Sequence, residues 1–220
     1  PSIAMDADGD FVIAWESKGQ DDISDSNGYG IFAQLYTADG STVGSEFPVN
    51  TGFLNNQRGS SVAMDADGDF VIAWTSDHDD PSYEVYAQRY TADGSEAGGE
   101  FQVNKVTSSF QESPSVAMDA DGDFVIAWTS YLEDGFKNGI YAQRYTADGI
   151  KAGIEGFRVN THITDSQKLS SIAIDADGDF VIAWESYSQD AITTDGIFAQ
   201  RYKGASQTVD LNLVVQDDVD

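Results

Sequence analysis

Aspartate recurs in this chain at a spacing that suits calcium. The string Asp-Ala-Asp-Gly-Asp-Phe-Val-Ile-Ala-Trp occurs four times, beginning at Asp6, Asp65, Asp119 and Asp175. Its first, third and fifth residues are Asp6, Asp8 and Asp10, then Asp65, Asp67 and Asp69, then Asp119, Asp121 and Asp123, and finally Asp175, Asp177 and Asp179. Calcium takes roughly six to eight oxygen ligands, and closely spaced carboxylates on a Gly-containing loop supply some of them. These aspartates are therefore candidate metal ligands, with main-chain carbonyls or water completing the shell. The competing reading is turn chemistry alone, because Asp-Gly is a preferred hairpin pair. The chain holds a control for that reading. The same Ala-Asp-Gly core recurs at Ala38–Gly40, Ala92–Gly94 and Ala147–Gly149 without flanking aspartates.

The elements that carry these strings repeat as well. Each copy is followed by a second run: Ile31 to Tyr36, Val85 to Tyr90, Ile140 to Tyr145 and Ile197 to Tyr202. The first three continue to Phe47-Pro-Val-Asn50, Phe101-Gln-Val-Asn104 and Phe157-Arg-Val-Asn160, whereas the fourth ends on Thr208 to Val215. The grammar predicts four strands per unit: a (Ser61 to Asp65), b (Asp69 to Thr75), c (Val85 to Thr91) and d (about Gly99 to Asn104). No stretch holds a helical period. The a–b turn admits two registers. A two-residue turn at Asp67-Gly68 pairs Asp65 with Phe70, and a three-residue loop with Gly68 left-handed pairs Asp65 with Asp69. The second register is preferred, because Val62, Met64, Phe70, Ile72 and Trp74 then form a bulky face and Ala63, Val71 and Ala73 a small one. Bulky faces press onto small faces when sheets stack as propeller blades.

The predicted fold is all-β and propeller-like: four repeats of four antiparallel strands in one domain, with units at about 1–59, 60–113, 114–169 and 170–220. A closed four-bladed ring is the favoured arrangement. A larger ring or a linear array is the alternative.

Other residues also have types suited to chemistry. The b–c loops vary, and two of them carry acidic clusters: Asp21, Asp22, Asp25 and Asn27, and then Asp77, His78, Asp79 and Asp80. Variable loops on a repeating scaffold commonly hold binding sites, and solvated polar loops are the simpler account. Trp15, Trp74, Trp128 and Trp184 occupy one b-strand position and read as core anchors more than as a sugar platform. Arg89, Arg144 and Arg201 recur in strand c, with Leu35 in the first unit. They suit pairing with nearby acids more than an axial carboxylate site. His78 and His162 belong to no catalytic arrangement. Catalysis needs unlike groups at one point, and the repeats present like groups, so a non-enzyme is expected.

Composition narrows the partners. With 38 acidic and 11 basic residues the formal charge is -27. That excludes nucleic acid, which requires a basic footprint, and no apolar run approaches a membrane span. The chain has no cysteine, which excludes disulfides and thiolate chemistry. With no initiator Met and no signal segment visible, it reads as a mature product or fragment.

Met64-Asp-Ala-Asp-Gly-Asp-Phe-Val-Ile-Ala-Trp74, Tyr86-Ala-Gln-Arg-Tyr90 and Glu100-Phe-Gln-Val-Asn104 resemble tandem repeats of large secreted bacterial proteins. Those repeats are loosely FG-GAP-like and are often found beside haemolysin-type calcium-binding modules. The resemblance implies a propeller-like fold at the cell surface or outside the cell. The resulting expectation is a calcium-stabilised structural or adhesive module, with other copies, other domains of a surface protein, or a glycan as partners. The alternatives are a lectin-like propeller that uses the variable b–c loops, or a propeller-fold glycosidase or lyase.

Overall fold

The computed structural model describes residues 1–20, 28–51, 56–77, 82–133, 135, 137–187, 189 and 195–204, together with the backbone of 209–215. Blade 1 comprises β1 (Ser2–Met5), β2 (Phe11–Lys18), β3 (Tyr29–Tyr36) and β4 (Thr42–Pro48). Blade 2 comprises β5 (Gln57–Met64), β6 (Phe70–Ser76), β7 (Glu84–Tyr90) and β8 (Phe101–Gln102). Blade 3 comprises β9 (Gln111–Met118), β10 (Phe124–Tyr131), β11 (Asn138–Tyr145) and β12 (Lys151–Arg158). Blade 4 comprises β13 (Gln167–Ile174), β14 (Phe180–Tyr187), β15 (Asp195–Tyr202) and β16 (Val209–Val215). Each blade is a four-stranded antiparallel meander in chain order. The fold is thus all-β and propeller-like, as the repeats predict. The innermost strands start ahead of the expected unit boundaries, at Gln57, Gln111 and Gln167. No described helix is long and apolar enough to cross a membrane.

Blades stack bulky face onto small face. Val12, Ala14, Ile31 and Ala33 of blade 1 pack against Val62, Phe70, Ile72 and Trp74 of blade 2. Blade 2 offers Ala63, Val71, Ala73 and Ala87 to Phe124, Ile126, Trp128 and Tyr145 of blade 3. Blade 3 offers Val125, Ala127 and Ala142 to Phe180, Ile182 and Trp184 of blade 4. Small residues let the backbones approach, and large ones fill the space between sheets, so burial and close packing are achieved together. Each seam adds a three-ring cluster. Phe70 stacks on Tyr90 across the strand pair at 4.9 Å, and Phe47 of the preceding blade meets Tyr90 at 5.4 Å. Phe101 completes the same cluster on Tyr145, and Phe157 on Tyr202.

The closing asparagine of strand d has a structural task. Oδ1 of Asn50, Asn104 and Asn160 accepts a hydrogen bond from the backbone N–H of Ile31, Val85 and Ile140 respectively. The side chain pairs a strand-c amide at the point where backbone pairing stops, so that amide is not left buried and unsatisfied.

The expected closed ring is not seen among the described residues. Three seams join the four blades, and the described residues form no such seam between blades 4 and 1. Ile3 and Met5 on the bulky face of blade 1 are 61% and 58% exposed. On the small face of blade 4, Val181 and Ile197 are 37% and 44% exposed, while the equivalent Val71 and Val85 of blade 2 are fully buried.

This asymmetry sets a test. Trp128, 1% exposed, should cost about 3–5 kcal/mol when replaced by Ala, the usual loss for a large buried aromatic. Trp15, half-buried on the open face, should cost less than half as much. Urea midpoints of Trp128→Ala and Trp15→Ala in dilute protein compare the two directly.

Candidate functional site

The blades present two opposite rims. At the first, the a–b hairpins take the three-residue register. Asp65 N–H donates to the Asp69 carbonyl at 2.9 Å, and Gly68 is left-handed with φ of +92°. Glycine is required there for two reasons. A side chain would be strained at that φ, and a Cβ would lie 3.3 Å from Asp6 Oδ2 of the preceding hairpin.

The aspartates have defined roles in this turn. Oδ1 of Asp65 accepts from the N–H groups of Asp67 and Asp69 at 3.0 and 2.9 Å. Asp6, Asp119 and Asp175 do the same in their hairpins. The fifth residue clamps the neighbouring c–d turn. Asp10, Asp69 and Asp123 accept from the N–H of Ala38, Ala92 and Ala147, and Asp179 accepts from Gly204 N–H. The third residues Asp8, Asp67, Asp121 and Asp177 are exposed. Thus the first and fifth aspartates carry turn and clamp functions that the spacing alone did not disclose. Among the described residues, no group of three or more acidic or histidine side chains converges as a metal cage.

Burial pushes the carboxyls of Asp65 and Asp119 above their ordinary range, and neighbouring aspartates add to this. The two backbone N–H donors act in the opposite sense. At Asp179 the Gly204 N–H is the largest influence, and with Arg201 it holds the carboxyl low.

A raised folded pKa means the native state binds more protons, so this contribution falls as pH rises from 3.8 through the folded value. Asp65→Asn keeps an Oδ1 acceptor and removes the charge. It should raise the urea midpoint at neutral pH, with the gain shrinking towards pH 3.8. Asp65→Ala loses the acceptor and should cost about 1 kcal/mol at neutral pH. Calcium is tested separately by melting in EDTA, in calcium and in sodium chloride of matched ionic strength. A calcium-specific rise that Asp65→Asn diminishes establishes hairpin binding, and equal melting temperatures leave charge screening alone.

The remaining sequence candidates separate clearly. Trp74, Trp128 and Trp184 are buried seam anchors. Arg89 donates to the Asp148 carbonyl, Arg144 lies over the Phe180 ring, and Arg201 pairs with Asp179 at 2.9 Å. All three sit towards the hairpin rim and none at the axis. His162 contacts the Thr164 hydroxyl. Asp21, Asp22, Asp25, Asn27, His78, Asp79 and Asp80 lie outside the described residues.

The second rim is where the innermost strands begin, and there the repeats stop being alike. Each of β5, β9 and β13 carries a bulge, at Gly59-Ser60, Ser113-Pro114 and Leu169-Ser170. The first bulge residue is left-handed in all three, with φ of 62°, 56° and 54°. Two of these are not glycine, and such strain, of order 1 kcal/mol or more each, concentrates at functional sites. Together with Pro1 and Glu16 these bulges surround an axial cavity of about 380 Å³. The residue before the bulge is Arg58, Glu112 or Lys168 in blades 2 to 4. The strand-b residue after the Trp is Glu16, Thr75, Thr129 or Glu185.

A side pocket of about 190 Å³ adjoins this cavity, sharing Gly59 and Ser113 with it. It gathers Arg58, Asp77 and Tyr83 from blade 2 with Glu112 from blade 3. Asp77 is anchored by the Asn56 backbone and side-chain amides and by Arg58 at 3.6 Å. Beyond it, the rings of Tyr83, Phe110 and Tyr131 follow one another at 5.1 and 6.2 Å, and Phe110 and Tyr131 are 40% and 38% exposed. A larger cavity of about 610 Å³ lies between blades 3 and 4, away from the axis. Sequence reasoning reached Asp77 only as a member of an acidic loop. It missed Arg58, Glu112, Tyr83 and Phe110, because they lie outside the repeated strings. Departure from the repeat was the available signal.

The fold and this axial site define a propeller-like protein with an asymmetric mouth. Solved structures share the architecture. A Hadza microbial sialidase matches 96% of this chain with a TM-score of 0.60 at 13% identity. A protein of unknown function from Dyadobacter fermentans matches 97% with a TM-score of 0.66 at 11% identity. An alpha-L-arabinofuranosidase from Lactobacillus brevis matches all of it with a TM-score of 0.58 at 11% identity. The chain spans 46% of the sialidase and 67% and 74% of the other two. No protein-family model and no curated protein matches it. The expectation of a non-enzyme is overturned on two findings. Glycoside hydrolases are prominent among the structures sharing this fold, and the side pocket beside the axis joins unlike groups from two blades.

Proposed function

We propose that this protein processes a glycan at the axial mouth, by hydrolysis of a glycosidic bond. The observation that carries the reading is the pocket joining Arg58, Asp77 and Glu112 from two blades beside a run of exposed aromatic rings. Sugar rings present C–H faces that pack on aromatic surfaces, and Tyr83, Phe110 and Tyr131 offer such a path. Glycosidic cleavage uses two carboxyl groups. One protonates the departing oxygen as the C–O bond breaks. The other, ionised, either takes a proton from the attacking water or bonds to the anomeric carbon before water releases it. Asp77, fixed in position by the Asn56 amides and by Arg58, is assigned the base or nucleophile role. Glu112, half-buried on the adjoining blade, is assigned the proton donor. Arg58 orients Asp77 and faces acidic or hydroxyl groups of the substrate.

The expected result is release of reducing ends from at least one member of a panel of plant, microbial and host polysaccharides. Asp77→Asn and Glu112→Gln should each lower kcat by about 10² or more, the usual range for loss of an acid or base, with unchanged circular dichroism. Phe110→Ala should raise KM with a smaller effect on kcat. Saturable glycan binding without turnover across the panel would sink the hydrolase assignment.

A further inference from the structure

The two ends of the blade array are the two halves of one seam. Blade 1 exposes Ile3 and Met5 at 61% and 58%, with Phe11, Ile13 and Trp15 half-buried beside them. The corresponding Trp of blades 2, 3 and 4 is 1%, 1% and 5% exposed. Blade 4 exposes Val181 and Ile197 at 37% and 44%, where blades 1, 2 and 3 bury their equivalents to 2% or less. The aromatic cluster is also incomplete. Phe11 stacks on Tyr36 at 4.8 Å, and no described ring supplies the third member that Phe47, Phe101 and Phe157 supply at the internal seams.

We infer that these faces bind each other between copies of this chain, head to tail. The small face of blade 4 in one copy seats on the bulky face of blade 1 in the next. The argument rests on continuity with an interface the chain already forms three times. The internal seams bury the same positions, in the same register of large against small. An exposed apolar sheet face of this kind marks an association surface. The contact is heterologous, each copy using two different surfaces, so it propagates from copy to copy unless it closes on itself. The formal charge of -27 on each copy opposes association. Salt screens that repulsion and leaves the apolar contact intact, so association strengthens as sodium chloride is added. This inference is independent of the hydrolase reading, since its residues lie outside the pocket of Arg58, Asp77 and Glu112.

The experiment is sedimentation of the full chain with two blocked variants. Met5→Asp blocks the blade 1 face, and the double change Val181→Asp with Ile197→Asp blocks the blade 4 face. The wild type should exceed its monomer mass of 23.7 kDa, increasingly with concentration and salt. Each variant alone should remain monomeric. Their mixture should form a species of twice the monomer mass and nothing larger, because each keeps one complementary face. A wild type that stays at 23.7 kDa throughout overturns the inference, whether a different unit covers the faces or the array closes on itself. So does a mixture that fails to pair. Should a variant not fold, acrylamide quenching of the wild type decides. The Trp15 contribution, identified with Trp15→Phe, becomes protected on association, and quenching that ignores concentration and salt refutes it.

Discussion

The seam between a bulky and a small sheet face is the constraint on which the rest of this molecule depends. Every blade must be large on one side and small on the other, because the same blade serves as lower layer to one neighbour and upper layer to the next. That requirement explains why strand b is apolar on both faces, why Trp and Ala alternate along it, and why the aromatic rings recur in triplets. It also explains the ends. A unit built to be covered on two sides exposes apolar surface where no described neighbour covers it, as at Met5 and Ile197.

Seam geometry also orders the two rims. At the hairpin rim, close stacking brings the first aspartate of one blade against the glycine of the next. Dense negative charge is tolerated there because the first and fifth carboxylates are spent on backbone N–H groups, in their own turn or in the adjoining one, and the third lies exposed to solvent. Charge-assisted hydrogen bonds of that kind offset part of the mutual repulsion of facing aspartates. The repeated motif is therefore a structural latch by its geometry.

At the other rim the strands begin, and the packing demand relaxes. Bulges there turn the innermost strands out of register and release positions that no seam has to fill. Free of that demand, blades 2 to 4 carry Arg, Glu and Lys where a strict repeat would carry one residue type. Diversity at the axis and uniformity in the seams follow from the same cause. Chemistry that needs unlike partners finds them only where stacking does not dictate the side chain.

Much of the scaffold was legible in the residues themselves. Alternation in Val62 to Trp74 set the two faces, Gly68 set the turn register, and the fourfold recurrence set the blade number, because each depends on local periodicity and on backbone sterics. The use of Asp65 and Asp69 as hydrogen-bond acceptors was not legible, since a carboxylate's partner depends on which amides the turn leaves unpaired. Nor was the open side between the described residues of blades 4 and 1, because closure depends on the angle between blades and not on the content of any one. The axial mouth was least visible of all. Arg58 and Asp77 of blade 2 and Glu112 of blade 3 share no motif, so only the stacking of one blade on the next brings Glu112 into their pocket.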